Sequence, residues 1–440
     1  MEFRNEKDTL GTFKVPKNSY FGAFTARAQK NFQISGKTAP QIFQKSLGLV
    51  KLAALKANSD LKLLPPKLSK AIQKAAEEFV NLKFSPEFTL DIFQAGAGTS
   101  YNMNANEIIA NRANELLKAK KGEYSIVHPN NHVNLSQSSN DVIPTATRLA
   151  TLLSLPPLLN EIQNLEKEIS RIATKYKNEQ KVGRTHLRDA VPITLGQEFD
   201  SYKQAITNSK IFIENQAKNL RTIGLGGTAV GMGTNAHPKF KTLATKHLSA
   251  LTGITLKSAE NLTETTNNMA PFMNFSAALR SLATNLLNFS NDIKLLSMGP
   301  RAGIAEITLP EIQPGSSIMP GKNNPSVPEA LEMVCFQVLG NDRTIELSAQ
   351  RSQLELNAMC PIIMHNLLES IHILTNAIKT FTNLCLKGLK VNAKQIKKLL
   401  EQSLAQATVL APKLGYDKTA KVIKLALKNN TTIEEELKNL

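Results

Sequence analysis

Three stretches of the chain repeat apolar residues every three or four positions over at least 19 residues. In the first these are Leu158, Ile162, Leu165, Ile169, Ile172 and Tyr176. In the second they are Phe272, Phe275, Leu279, Leu282, Leu286, Phe289, Ile293 and Leu296, and in the third Ile363, Leu367, Ile371, Leu374, Ile378 and Phe381. Steps of three and four, mostly alternating, draw a stripe along one face of a helix, close to a heptad seam. Helices with such stripes pack side by side at shallow angles. These are too long to be covered by one small domain, so the pattern predicts a central bundle extended by partner chains. Residues 191–220 carry a helical pattern as well.

Composition sharpens this reading. Hydrophobic residues make up 42% of the 440, aromatics only 5%, and Trp is absent, which suits aliphatic helix packing better than aromatic-rich strands. The chain reads as mainly α. Cys335, Cys360 and Cys385 are odd in number and show no CxxC spacing, so neither a disulfide framework nor a zinc site is expected, and a reducing, cytoplasmic setting fits. The first residues, MEFRNEKDTLGTF, lack the apolar core of a signal peptide. No 18 consecutive residues are apolar, so no membrane partner is expected.

The net charge is +17, with Lys and Arg scattered along the chain. No zinc-finger or RNP-like pattern accompanies them, so the excess reads as a solvated lysine-rich surface rather than a nucleic-acid interface. A positive field also steers small dianions toward a protein.

The chain divides by pattern into residues 1–135 (short helical stretches and turn-rich loops such as GTFKVPKNSYFG), 136–390 (the long helices) and 391–440 (short helices broken by LAPKLGYDK). Between the helices lie polar loops dense in small residues: QAGAGTSYN (94–102), VHPNNHVNLSQSSND (127–141), GRTHLRDA (183–190), GLGGTAVG (224–231) and a long one over 299–329. Any one of them could be an ordinary connector. Together they offer hydroxyls, amides, imidazoles and cations with few carboxylates, a set suited to an anion bearing several carboxylate oxygens.

The 299–329 loop contains GSSIMPGKNNP at 315–325. This resembles the signature GSSxMPxKxNP of the fumarase/aspartase superfamily, with all eight defined residues present. The likeness runs from EKDTLG near the start to LGYDKTAKV near the end. It implies a mainly α subunit of three domains with a long central helix bundle, a homotetramer, and active sites built from loops of three subunits. It implies reversible elimination of water or an amine across C2–C3 of a succinyl dicarboxylate, releasing fumarate, with no cofactor and no metal.

The resemblance also implies roles, residue by residue. Ser316 takes the place of the general base, and Lys322 and Asn324 stabilise the doubly charged aci-carboxylate. Elimination next to a carboxylate needs both, and a serine hydroxyl becomes a base only where cations and backbone N–H groups favour its alkoxide. Thr185 and His186 hold a substrate carboxylate and the leaving water, with Glu329 pairing the histidine. Thr99, Ser138, Ser139 and Asn140 bind substrate. His128, Asn130 and Asn131 resemble a second anion site, with asparagine at 131 in place of the usual aspartate. His132, His237, His247, His365 and His372 read as non-catalytic.

Within the superfamily the motifs divide. VHPN, QSSND, LGGTAVG and LAPKLGYDK look like class II fumarase, whereas QAGAGTS, KGEY, GPRAG, PSVPE and SIHILTN look like aspartase. Ser139 stands where aspartases usually carry Thr, and Ala97 where fumarases usually carry Ser. The expectation is fumarate hydratase, with aspartate ammonia-lyase as the alternative and a non-catalytic structural homologue outside that class. Two further departures are Asn323, at a position usually occupied by valine, and Arg188, which adds a cation near His186.

Overall fold

The structure is a computed structural model and describes residues 2–439. Its helices are α1 (Ala23–Asn31), α2 (Gln41–Asp60), α3 (Pro66–Val80), α4 (Thr99–Leu116), α5 (Ser139–Lys175), α6 (Leu195–Asn219), α7 (Phe240–Thr252), α8 (Leu262–Asn267), α9 (Ala270–Leu296), α10 (Ser326–Ala349), α11 (Cys360–Phe381), α12 (Ala393–Gln402), α13 (Ala407–Leu414), α14 (Tyr416–Asn429) and α15 (Ile433–Lys438). Among the described residues the longer strands form two antiparallel hairpins, β1 (Phe3–Asp8) with β2 (Gly11–Pro16) and β3 (Gln180–Thr185) with β4 (Arg188–Thr194), and three further pairs have two residues per strand. The mainly α class follows directly.

The chain forms two compact units, residues 1–158, 212–280 and 337–372 in one, and 159–211, 281–336 and 373–440 in the other. In the first, α2 packs against α3 and α7, and α4 against α3. Tyr101 on α4 is fully buried between the rings of Phe43 and Phe88. In the second, α5 meets α6 through Glu166, which accepts from Thr207 (2.6 Å) and Lys210 (2.6 Å). There α6 meets α9 through Phe199 and Phe289, α9 meets α11 through Phe289 and Phe381, and Lys294 on α9 pairs with Glu332 on α10 at 2.7 Å.

Every apolar position that the three stripes single out is buried except Tyr176, which is half-buried. The stripe is therefore the core-facing side of each helix. The expected helix at Leu158 begins much earlier, at Ser139, and runs through Pro144, Pro156 and Pro157. Each proline removes one backbone donor, a loss of about 3 kcal/mol in an isolated helix. Burial of Val142, Ala146, Leu149, Ala150, Leu158 and Ile162 holds this one together. An 18-residue stretch of α5 is apolar enough to cross a membrane by length and mean hydropathy (1.3), yet 72% of it is buried within the protein, as in a core helix.

Residues 1–135 depart from the sequence reading. Their helices are not short: α2 has 20 residues and α4 has 18. The GTFKVP segment, read as turn-rich loop, is strand β2. Asp8 Oδ1 accepts from the Leu10 N–H at 2.8 Å, and Gly11 closes the turn with φ +109°. Strand β1, FRNEKD, has no apolar alternation to reveal it; its buried residue is Glu6, which accepts from the Ala23 N–H at 2.9 Å.

The three cysteines are free and buried, and burial pushes each thiol up to about 12.

Candidate functional site

In the first unit, the substrate-binding candidates gather around the start of α4. Ala97 (φ +56°) and Gly98 (φ +71°) make a left-handed bend, after which Thr99 opens the helix. One turn on, Asn102 Nδ2 donates to Ser139 Oγ at 3.1 Å. Ser139 and Asn140 are not loop residues, as their turn-like sequence suggests, but the first turn of α5. Asp141 accounts for this: its Oδ1 accepts from the Ser138 N–H at 2.9 Å. Its Oδ2 accepts from the N–H groups of Gly226 and Thr228, each at 3.0 Å. One carboxylate thus ties the SSN turn to the GLGGTAVG loop. Asn140 Nδ2 adds a bond to the Ala229 carbonyl at 2.8 Å, which leaves its Oδ1 as a neutral acceptor.

Asp141 is buried, and desolvation pushes its carboxyl up to about 6. Lys51 on α2, also buried, is pushed down to about 7 by desolvation, opposed by the charge of Asp141. Sequence reasoning passed over both. The signal for Lys51 was present: Phe43, Leu47, Lys51, Ala54 and Asn58 fall on one helical stripe, and all are buried. A lysine on the apolar face of a helix is rarely free of a partner.

The HPNNH segment forms a single π-helical turn, Pro129–Val133, beside α4. His128 Nδ1 accepts from the N–H groups of Asn130 (3.1 Å) and Asn131 (3.3 Å). Burial lowers its pKa below the ordinary value. Asn130 Nδ2 reaches Met103 Sδ at 3.7 Å, while both asparagines are exposed. Of the other histidines, His132 Nδ1 accepts from the His128 N–H (2.8 Å) and His247 pairs with Asp60 (2.7 Å).

In the second unit, Thr185 ends β3 and His186 stands at the tip of the β3–β4 hairpin. Thr185 pairs with Arg188 across a two-residue loop in which His186 (φ +54°) and Leu187 (φ +58°) are both left-handed. That is the backbone of a type I′ turn, which favours Asn-Gly. Placing two side chains there costs of order 1–2 kcal/mol per residue, strain of the kind that collects at functional positions. The strand beneath is pinned by buried charge. Lys181 Nζ lies 2.7 Å from Glu198 and 2.9 Å from Glu306, and Arg184 lies 2.8 Å from Glu306.

The GSSIMPGKNNP loop doubles back on itself. A Cβ on Gly315 would sit 2.0 Å from the Lys322 carbonyl oxygen, so only glycine fits before Ser316. Asn324 Nδ2 bonds the Gly315 carbonyl across the same fold. Ser316 Oγ accepts from the N–H groups of Ile318 (3.3 Å) and Met319 (3.1 Å). Ser316 and Lys322 line one recess of about 440 Å³, together with Met319 and Asn323. Among the described residues no carboxylate pairs with Lys322. Glu329 lies in the first turn of α10, exposed, and among the described residues no hydrogen bond joins it to His186, also exposed. The structure therefore brings Ser316, Lys322 and Asn324 together in one loop. It also joins Asn102, on the helix that Thr99 opens, to Ser139, and among the described residues no hydrogen bond joins His186 to Glu329.

A family profile described as Lyase matches residues 11–340. An aspartate ammonia-lyase of Bacillus sp is 45% identical over 434 residues, covering 99% of this chain and 93% of that protein. The chain belongs to the fumarase/aspartase superfamily. Within that superfamily it stands equally near the other activity: a class II fumarate hydratase of Wigglesworthia glossinidia brevipalpis is 45% identical over 433 residues, covering 98% of this chain and 93% of that one. A crystal structure of a fumarate lyase:delta crystallin from Brucella melitensis superposes with a TM-score of 0.97 at 41% identity, over 100% of this chain and 96% of that chain.

Proposed function

We propose that this superfamily member is a fumarate hydratase, interconverting fumarate and L-malate through an aci-carboxylate intermediate. The observation that carries this reading is the donor-rich character of the SSND turn. Its only carboxylate, Asp141, is buried and bonded to three backbone N–H groups. What the turn can offer a substrate is hydroxyls and one neutral amide oxygen. Such groups suit a dianion with a neutral hydroxyl at C2; an ammonium there would be better served by an anionic acceptor.

In the proposed mechanism Ser316, as alkoxide, removes the C3 proton of malate. The electron pair moves onto the adjacent carboxylate, and Lys322 and Asn324 face the second charge that forms there. Two N–H groups on Ser316 Oγ favour the alkoxide in the same way. Thr185 and His186, with Glu329 behind the histidine, hold the C2 hydroxyl, which takes a proton from His186 and leaves as water as the aci-carboxylate electron pair returns to close the C2–C3 double bond. Thr99, Ser138, Ser139 and Asn140 hold the substrate carboxylates, and His128, Asn130 and Asn131 supply an accessory anion site. The chemistry assigned to these residues uses no cofactor or metal.

The exposure of His186 and Glu329 supports a site completed by loops of three chains. Exposed apolar residues on the long helices support a homotetramer: Ile211 (48%) on α6, and Met333 (66%) and Phe336 (59%) on α10. Refolding a Ser316→Ala chain together with a His186→Asn chain tests the sharing. Mixed tetramers should recover activity, and none would be recovered if each site lay within one chain.

Aspartate ammonia-lyase is the second reading. Ala97, without the hydroxyl expected near the water, favours it. The test is fumarate formation, followed by absorbance, from L-malate and separately from L-aspartate. Malate should react, with aspartate at least about 10³-fold slower, since sites that hydrogen-bond one group reject its analogue. Turnover of aspartate with none of malate would make the protein an aspartase. Binding of DNA with no turnover of either would make it a structural homologue.

A further inference from the structure

Beneath the SSN turn lies a buried polar cluster whose amide orientations are all fixed by their partners. Asn134 Nδ2 donates to the Gln137 carbonyl at 3.1 Å, so its Oδ1 must face the other way. That oxygen accepts from Lys51 Nζ (3.0 Å), Asn102 Nδ2 (3.1 Å) and Asn106 Nδ2 (3.1 Å). Gln137 is fixed likewise: its Nε2 donates to the carbonyls of Val133 (3.0 Å) and Leu135 (3.1 Å), and its Oε1 accepts from Lys51 at 3.0 Å. As an ammonium, Lys51 is a donor only, and in that form it selects these orientations. Asn102 must then present its NH₂ both to Asn134 and to Ser139 Oγ. Ser139, having accepted, keeps its own proton to give away, and among the described residues no acceptor takes it.

We propose that Lys51 is a positioning residue that, through Asn134 and Asn102, makes the Ser139 hydroxyl a hydrogen-bond donor toward a substrate carboxylate. This rests on the reading of Ser139 as a substrate contact. Without the ammonium, the Asn134 oxygen loses its one charged donor, and the amide is held by neutral partners alone, the Gln137 carbonyl on one side and the Asn102 and Asn106 amides on the other. Asn134 can turn, and its NH₂ then faces Asn102. Asn102 turns in answer and offers its oxygen to Ser139. The serine proton then points into the protein, and a lone pair faces the anion. Substitution of one buried residue, with no substrate contact of its own, thereby reverses the polarity of a hydroxyl at the surface of the site. Asp141 is the carboxylate whose field reaches Lys51, and its oxygens are already bonded to backbone N–H groups.

The test is a double-mutant cycle on the full-length protein, read by the affinity of succinate, an unreactive dicarboxylate, and by KM and kcat with fumarate. Ser139→Ala should weaken succinate by about tenfold or more, the value of a hydrogen bond to a charged group. Lys51→Met should weaken it comparably and act on KM more than on kcat. In the double variant the second change should add less than about twofold, because both remove the same bond. Multiplying effects, or a Lys51→Met protein that binds succinate like wild type, would overturn the relay. If Ser139→Ala alone has no effect, the substrate-contact reading fails and the relay falls with it. If Ser139 matters while Lys51 does not couple to it, the relay alone fails. Should Lys51→Met not fold, Asn102→Leu removes the next link, and the same absorption by Ser139→Ala is expected.

Discussion

Ser316 Oγ accepts the Met319 N–H at 3.1 Å, so the hydroxyl that the proposed mechanism needs as a base is already an acceptor of backbone hydrogen bonds. Every N–H aimed at an oxygen favours its negative form. Ile318 adds a second at 3.3 Å, and Lys322 lines the same recess. Ser316→Ala should lower turnover by at least about 10²-fold, the lower end of what a positioned base contributes. Its thermal midpoint should stay near that of wild type, because the serine is in a loop and not in the core. Retention of more than a tenth of the activity in a steady-state assay would assign the base elsewhere.

Gly315→Ala is expected to inactivate without touching a reactive atom. The new methyl would meet the Lys322 carbonyl at 2.0 Å, a distance no loop can absorb in place. The loop must open, parting Ser316 from Lys322. Activity should fall by more than tenfold with little change in the unfolding midpoint. A fully active Gly315→Ala enzyme would show that the folded-back loop is not the working one.

Glu107 predicts a pH dependence of stability. Its carboxylate accepts from the N–H groups of Gly22 (2.9 Å), Phe24 (2.9 Å) and Thr25 (3.1 Å) at the start of α1. Burial nevertheless pushes its pKa up from 4.5 to about 7. Between those values the folded chain holds a proton that the unfolded chain has released. This group's contribution is therefore complete below about 4.5 and declines as pH rises to about 7. Denaturation at a series of pH values should show that decline in wild type and a shallower one in Glu107→Gln. Identical slopes would mean that the carboxyl ionises normally.

His128 should be neutral at pH 7 with its proton on Nε2. Two backbone N–H groups point at Nδ1, and protonation there would displace both. Burial lowers the pKa further. Nitrogen-15 chemical shifts of the imidazole should report an unprotonated Nδ1, with titration below the ordinary 6.5. A charged ring at pH 7 would contradict the turn geometry.

How far the sequence could be read depended on what each residue had to satisfy. The long stripes were legible because one physical demand, burial of apolar surface, set every stripe position from Phe272 to Leu296. The Ser316 loop was legible because glycine and proline forbid regular structure there while leaving polar groups in place. Strand β1 was hidden, since its pairing is satisfied by Arg4 and Glu6 rather than by apolar alternation. Arg4 Nη1 donates to the carbonyls of Pro16, Lys17 and Ser19, and its Nε to Glu6 at 2.8 Å. Ser139 and Glu329 looked like loop residues because helix first turns use the same small and acidic residues as loops. Lys51 was missed because a lysine is taken as surface unless its place on the stripe is counted.

The three buried thiols make the protein its own clock for opening. A thiol held near 12 and closed off from solvent cannot meet an alkylating reagent at neutral pH. Cys335 sits on α10, Cys360 opens α11 and Cys385 lies just beyond that helix's end. The order in which the three sulfurs become labelled is therefore the order in which those helices come apart.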